Sequence, residues 1–257
     1  GDAGTHPYGS GSSYLTFLPY YYHSFDTTDL RLPVTCFLVY YDNKLIQQPT
    51  GISISPGKWN RLNVPSPLGA ASAKGTGINW PLMRYADVLL MLAESENELN
   101  GPTAVAQNAL KLVRKRAFPS SLWSAKVDGY VSAISSSKES FFNAIVNERA
   151  WEFGGECLRK YDLERWNLFG KKIAEIRNGS AQMGVDAVAG TGKYASLPDY
   201  IYYKRDSVSG IISLLNPYSR VAVAPPVVDV PNKGDNPKGY LRLNWLRALY
   251  NTTTSGP

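Results

Sequence analysis

From Pro81 onward, Leu82, Tyr85, Leu89, Leu92, Glu96 and Leu99 follow one another at steps of three and four in LMRYADVLLMLAESENELN, all but Glu96 of them apolar or aromatic. That period predicts an amphipathic helix over 82–99, with Pro81 suited to its first turn and Asn100-Gly101 to its end. AVAQNALKLVRKRA (104–117) repeats the pattern, with Ala106, Ala109, Leu110 and Val113 on one face and Lys111, Arg114 and Lys115 towards the other. So short a connection makes the two helices antiparallel neighbours, and Ala93 and Ala109 permit their close approach. A Ser-rich connection over 119–137 leads to a second hairpin, KESFFNAIVNERAWEF and then ECLRKYDLERWNLFGKKIAEIRN, with Gly154 or Gly155 taking the positive φ between its arms.

The flanks lack this period. Residues 1–80 read as loops and short strands, PVTCFLVYY (33–41) being the clearest strand-like run. Beyond Gly179 the chain is expected to turn irregular, with β-like runs at 200–204, 210–215 and 221–230; LRLNWLRALYN (241–251) fits a terminal helix or strand. The predicted fold class is therefore mostly α: tetratricopeptide-like helical hairpins with long irregular loops and a few short strands. It divides into 1–80, two hairpins over 81–178, and an irregular region over 179–257.

With 257 residues, 44% of them hydrophobic, the chain can bury a sizeable core. Its net charge of +6 is spread along the chain, and the densest basic run, Arg114-Lys115-Arg116, is three residues long, which argues against nucleic acid as a partner. Cys36 and Cys157 stand far apart with no CxxC or Cys/His cluster, so no metal site is expected and both read as buried free thiols. His6 and His23 are the only histidines. No run of about 18 apolar residues exists to span a membrane, and any signal or lipid anchor would lie upstream of Gly1. GTGK (190–193) has the end of a phosphate loop, but Ala187 stands where its first glycine belongs and Tyr194 follows the lysine.

The stretch ERAWEFGGECLRKYDLERW (148–166) carries the densest candidate chemistry. Glu148, Glu152 and Glu156 could serve a glycoside hydrolase as acid and base. An arginine stands beside almost every acid, however: Arg149 meets Glu152 at i+3, and Arg159, Asp162 and Arg165 continue that spacing. A neighbouring guanidinium lowers a carboxyl pKa, which suits an ion pair and handicaps a general acid. Trp80, Trp151 and Trp166 are read as core.

The same residues carry a family resemblance. RYADVLLMLAESEN, the helix end VRKRA, and NERAWEFGGECLRKYDLERW resemble, in order, the motifs of the SusD/RagB family of outer-membrane glycan-binding lipoproteins. The matching residues are Arg84, Tyr85, Ala86, Asp87, Glu94, Asn97, Arg114, Arg116, Ala117, Glu148, Arg149, Glu152, Phe153, Glu156, Arg159, Asp162, Leu163, Arg165 and Trp166. Asp29-Leu30-Arg31 and Lys58-Trp59 resemble the family's earlier signatures.

The resemblance implies a SusD-like α/α superhelix whose charged motif residues are scaffold. It implies a non-enzymatic, cofactor-free protein on the outer face of the Bacteroidetes outer membrane, capturing oligosaccharides, or in some relatives peptides, for a SusC-type TonB-dependent transporter. Members of the family are considerably longer and begin with a lipid-anchored half. The expectation is that this half is missing here or supplied by another chain. A helical-repeat adaptor binding only protein is the further alternative.

A sugar site needs exposed aromatic plates with fixed hydrogen-bonding groups at their edges. Tyr20, Tyr21, Tyr22 and His23 in SYLTFLPYYYHS are the first candidates, as surface loop or as a strand that hides alternate rings. Trp123 and the late tyrosines Tyr200, Tyr202 and Tyr203 follow.

Overall fold

The computed structural model describes residues 15–41, 47–49, 54–61, 64–66, 69, 77–198, 200–206, 208, 211–223 and 240–242. Helices dominate them. In chain order they are α1 (Pro19–Tyr22), α2 (Leu32–Thr35), β1 (Cys36–Phe37), β2 (Val39–Tyr41), β3 (Gln47–Pro49), β4 (Ser55–Pro56), α3 (Tyr85–Asn100) and α4 (Ala104–Ala117). A π-helical turn over Ser124–Gly129 leads into α5 (Tyr130–Ile134) and α6 (Lys138–Glu152), followed by α7 (Arg159–Arg165), α8 (Phe169–Ala189), β5 (Tyr200–Arg205), β6 (Ile212–Leu214) and β7 (Tyr240–Arg242). Among the described residues two compact units separate: one draws on 25–35 and 79–167, the other on 15–24, 36–78 and 168 onward.

The first unit is built on the α3–α4 hairpin, against which α6 packs. Ala86, Leu89, Leu90, Ala93, Ala106, Ala109, Leu110, Val113, Val131, Phe141, Ile145 and Phe153 form its core. Small Ala93 and Ala109 let the helices close on the fully buried Leu90 and Leu110, each buried leucine contributing about 1.5–3 kcal/mol. Thr103 caps α4 by accepting from the Ala106 amide at 3.4 Å, and Ser137 caps α6 by accepting from Ser140 at 3.0 Å. The segment before α2 joins this unit through the Leu30 amide, which donates to the Ala117 carbonyl at 2.9 Å.

Several expectations are corrected. α3 begins at Tyr85, not 82, because Arg84 is the extended N-cap residue and Pro81 lies outside the helix. Of the predicted stripe only Leu89 is buried; Leu82, Tyr85, Leu92 and Leu99 are exposed, since α4 and α6 cover the opposite face through Ala86, Asp87, Leu90, Ala93 and Asn97. The second arm of the second hairpin is two helices, broken at Trp166–Leu168 where Asn167 takes φ +54°. Past Gly179, where irregular chain was expected, α8 continues to Ala189. The positive φ after α6 falls to Gly155, and to Cys157 at +60°. Cys157 is exposed rather than packed, and Cys36 alone is a buried thiol, its pKa pushed up to about 12 by burial. Trp80, read as core, is 49% exposed.

In the second unit α1 lies against α8, and the strands pair in small antiparallel ladders: β1 with β4, β2 with β3, and β5 between β6 and β7. Of LRLNWLRALYN, Leu241 and Arg242 are in β7 and the rest lies outside the described residues, as does most of 221–230. GTGK forms the turn that ends α8, with Gly190 left-handed and Asp186 accepting from the Tyr194 amide at 3.2 Å. A phosphate loop would instead stand before a helix.

Candidate functional site

The first unit brings its charged motif residues into two largely buried groups. Arg31 sits at the centre of one. It grips Asp29 with Nε (3.0 Å) and Nη2 (2.7 Å), and its Nη1 reaches Glu148 Oε1 at 2.7 Å and Glu152 Oε2 at 3.1 Å. Glu148 and Glu152 lie one turn apart on α6, where two like charges would repel. Arg31 bridges them. Glu148, with no exposed side-chain surface, is closed on its other oxygen by Arg114 Nη1 at 2.5 Å. Arg114 also donates to the Lys126 carbonyl (3.1 and 2.9 Å) and stacks over Tyr130 at 3.7 Å.

Glu152 takes two further guanidiniums, Arg84 at 2.9 Å and Arg116. Arg84 holds Glu156 through both oxygens, at 2.8 and 2.9 Å. Arg149 points away from this group, to Asp87 at 2.6 Å and Asp162 at 2.7 Å. Arg165 closes on Asp162 (3.2 Å) and on Glu94, to which Trp166 Nε1 donates at 2.7 Å. Arg159 ties α7 to α6 by donating to the Val146 carbonyl at 2.8 Å.

Burial alone would push the Glu152 carboxyl up, but Arg31, Arg116 and Arg84 together outweigh it and hold it below the usual carboxylate range. Glu94 is likewise depressed: burial raises it, and Arg165 with the Trp166 N–H overcomes that. Such groups stay ionised at neutral pH and serve poorly as proton donors. Arg149 does not pair with Glu152 at i+3 as the spacing suggested; its partners lie 62 and 13 residues away. Arg114, assigned by period to the solvent side of α4, is buried. Arg31 and Arg114 stand out in the sequence only through the family motifs.

The candidate sugar-contacting residues are scattered. Tyr20, Tyr21 and Tyr22 form the helix α1, not a loop or a strand. Tyr22 is buried against Tyr218, ring centroids 6.0 Å apart, and burial raises its phenol pKa. His23 is half-buried, edge-on to Tyr22, and burial lowers its pKa to about 4, so it is neutral at physiological pH. Neither presents an open plate. Tyr21 packs on Phe17 at 4.9 Å. Trp123, in the other unit, is half-buried on Ala117, Phe118 and Val127, its Nε1 donating to the Lys115 and Phe118 carbonyls. Tyr203 is buried and Tyr202 half-buried; the Tyr200 side chain lies outside the described residues.

Tyr20 differs from these. Its ring rests on Gly179 of α8, where an added Cβ would fall 2.3 Å from Cε2, and its phenol feels Tyr194, Glu175 and Lys193. Nothing in the sequence marked these neighbours beyond a glycine inside what proved to be a helix. Among the described residues no group of three or more His, Cys, Asp or Glu is placed to hold a metal ion, and no helix is long and apolar enough to cross a membrane.

The SusD family model matches residues 40–216. Over 88 residues the chain is 46% identical to SusD-like protein P25 of Formosa agariphila, covering 34% of this chain and 15% of that protein. Over 175 residues it is 26% identical to SusD-like protein P2 of the same organism, covering 65% of this chain and 34% of that one. A crystal structure of a SusD homolog from Bacteroides thetaiotaomicron superposes with TM-score 0.50 at 24% identity, over 62% of this chain and 33% of its own, and so speaks to the fold alone. The chain thus spans about a third or less of the length of these relatives.

Proposed function

Because the chain belongs to the SusD family, we propose that it is part of a cell-surface protein that captures oligosaccharides for a SusC-type TonB-dependent transporter without cleaving them. Attachment to the outer membrane as a surface-exposed lipoprotein belongs to the same proposal. The observation that carries the non-catalytic reading is the pairing of Glu148, Glu152 and Glu156 with Arg31, Arg114, Arg84 and Arg116. Glycoside cleavage needs one carboxyl kept protonated near neutral pH and a second across a gap that admits the sugar. Glu148 and Glu152 each sit among two or more guanidiniums and Glu156 is gripped through both oxygens by Arg84, which suits ion pairing and not proton donation.

The test is calorimetric titration of the purified protein with malto-, cello- and xylo-oligosaccharides and with short peptides, alongside an assay for new reducing ends. Saturable binding of at least one oligosaccharide with no new reducing ends is expected. Turnover abolished by Glu152→Gln would replace this reading by the hydrolase, and binding confined to peptides would move the substrate class. Co-purification with a SusC-type transporter from outer membranes tests the partner.

A further inference from the structure

We propose that Tyr20, seated on Gly179 of α8, is a contact plate for one sugar ring of a bound oligosaccharide. The inference rests on the capture reading and deepens it by naming a subsite. It begins with Gly179. A glycine inside a 21-residue helix is less favourable than alanine by about 1 kcal/mol, and here the missing Cβ is what admits the aromatic edge: the added carbon would lie 2.3 Å from Cε2, 2.5 Å from Cζ and 2.8 Å from the hydroxyl of Tyr20. The helix backbone therefore backs the ring directly.

Two charged groups that act on its phenol, Glu175 one turn before Gly179 on α8 and Lys193 past its end, are themselves held in place. Lys172 Nζ engages Glu175 Oε2 at 2.7 Å, which fixes an exposed carboxylate acceptor. Lys193 Nζ lies over the Tyr194 ring at 4.9 Å, which fixes an exposed ammonium donor. Asn178, also exposed, precedes Gly179. Among the described residues nothing hydrogen-bonds the Tyr20 hydroxyl, so it keeps both a donor and an acceptor for a sugar hydroxyl. Burial first, then Tyr194 and Glu175 against Lys193, raise its pKa, and the phenol is neutral at physiological pH.

A part-exposed ring backed by a helix, with an exposed acceptor on that helix and an exposed donor past its end, matches a pyranose, which offers an apolar C–H face rimmed by hydroxyls. Tyr22, His23 and Trp123 have no comparable arrangement.

The experiment titrates wild type, Tyr20→Ala and the double variant Glu175→Gln/Lys193→Met with the malto-, cello- and xylo-oligosaccharides named above, and records the thermal melt of each. With the melt of Tyr20→Ala within a few degrees of wild type, its affinity for the bound oligosaccharide is expected to drop about tenfold or more, as for loss of a single aromatic anchor, and the double variant is expected to weaken several-fold. Wild-type affinity in a folded Tyr20→Ala, or in the double variant, overturns the subsite while leaving the capture reading intact. If Tyr20→Ala fails to fold, the double variant decides, because Glu175 and Lys193 are surface groups. A wild type silent towards all the oligosaccharides overturns the capture reading and the subsite with it.

Discussion

At the scale of single residues, the value of a charge in this molecule depends on how many partners share it and how dry they are. Arg31 serves Asp29, Glu148 and Glu152, with 13% of its side chain exposed; Arg165 serves Glu94 and Asp162 with 43% exposed. Removing Arg31 takes from buried Asp29, Glu148 and Glu152 the guanidinium they share, and breaking such a buried pair from one side costs about 3–5 kcal/mol. Arg165→Ala strips a solvent-screened group and is expected to cost about 1 kcal/mol or less. Urea unfolding of Arg31→Ala and Arg165→Ala reads the contrast; equal losses would mean that Arg114, Arg84 and Arg116 suffice to hold Glu148 and Glu152. The sequence announced that acids and arginines balance in this stretch. It did not announce who pairs with whom, because local spacing ranks i+3 and i+4 neighbours while Arg31 and Glu148 are 117 residues apart.

At the scale of elements, legibility followed capping and packing. α4 occupies the predicted 104–117, bounded by Thr103 at one end and by Phe118 in extended backbone at the other, with Arg114, Lys115 and Arg116 in a last turn that favours cations. α3 starts three residues later than its period suggests, with Arg84 extended at the N-cap, making no side-chain cap and giving its guanidinium to Glu152 and Glu156. Leucines lie all round α3, so its period does not single out the side that small alanines open to α4. Thr103 also donates its hydroxyl to Glu96 at 2.8 Å, fastening the turn of the hairpin to α3. Thr103→Ala is therefore expected to lower stability by about 1–2 kcal/mol, the upper part of the range for a lost cap, while a Thr103→Ser variant stays within about 0.5 kcal/mol of wild type. Chemical denaturation checks both, and an unaffected Thr103→Ala would show that Gly101 and Pro102 alone set the turn.

For the whole molecule, acid is the perturbant that reports on the two units in different pH windows. In one unit His23 has a pKa lowered to about 4 from 6.5. Between those values the unfolded chain binds a proton that the folded one does not, so stability falls as pH drops from about 6.5 to about 4 and this contribution then levels off. In the other unit Glu152 and Glu94 have folded values below 4.5. Their stabilisation is fully present above the unfolded value and is lost as pH falls through the depressed folded values, so it acts below about pH 4.5. The arginines add no window of their own, because they stay protonated throughout. The urea midpoint followed from pH 8 to pH 3 should thus be flat to about 6.5, decline to about 4, and decline again below that. His23→Gln should flatten the upper limb and spare the lower one. A wild-type midpoint constant from 6.5 to 4 would place His23 in contact with water, and one constant below 4.5 would mean that the arginine array does not depend on the charge of its carboxylates.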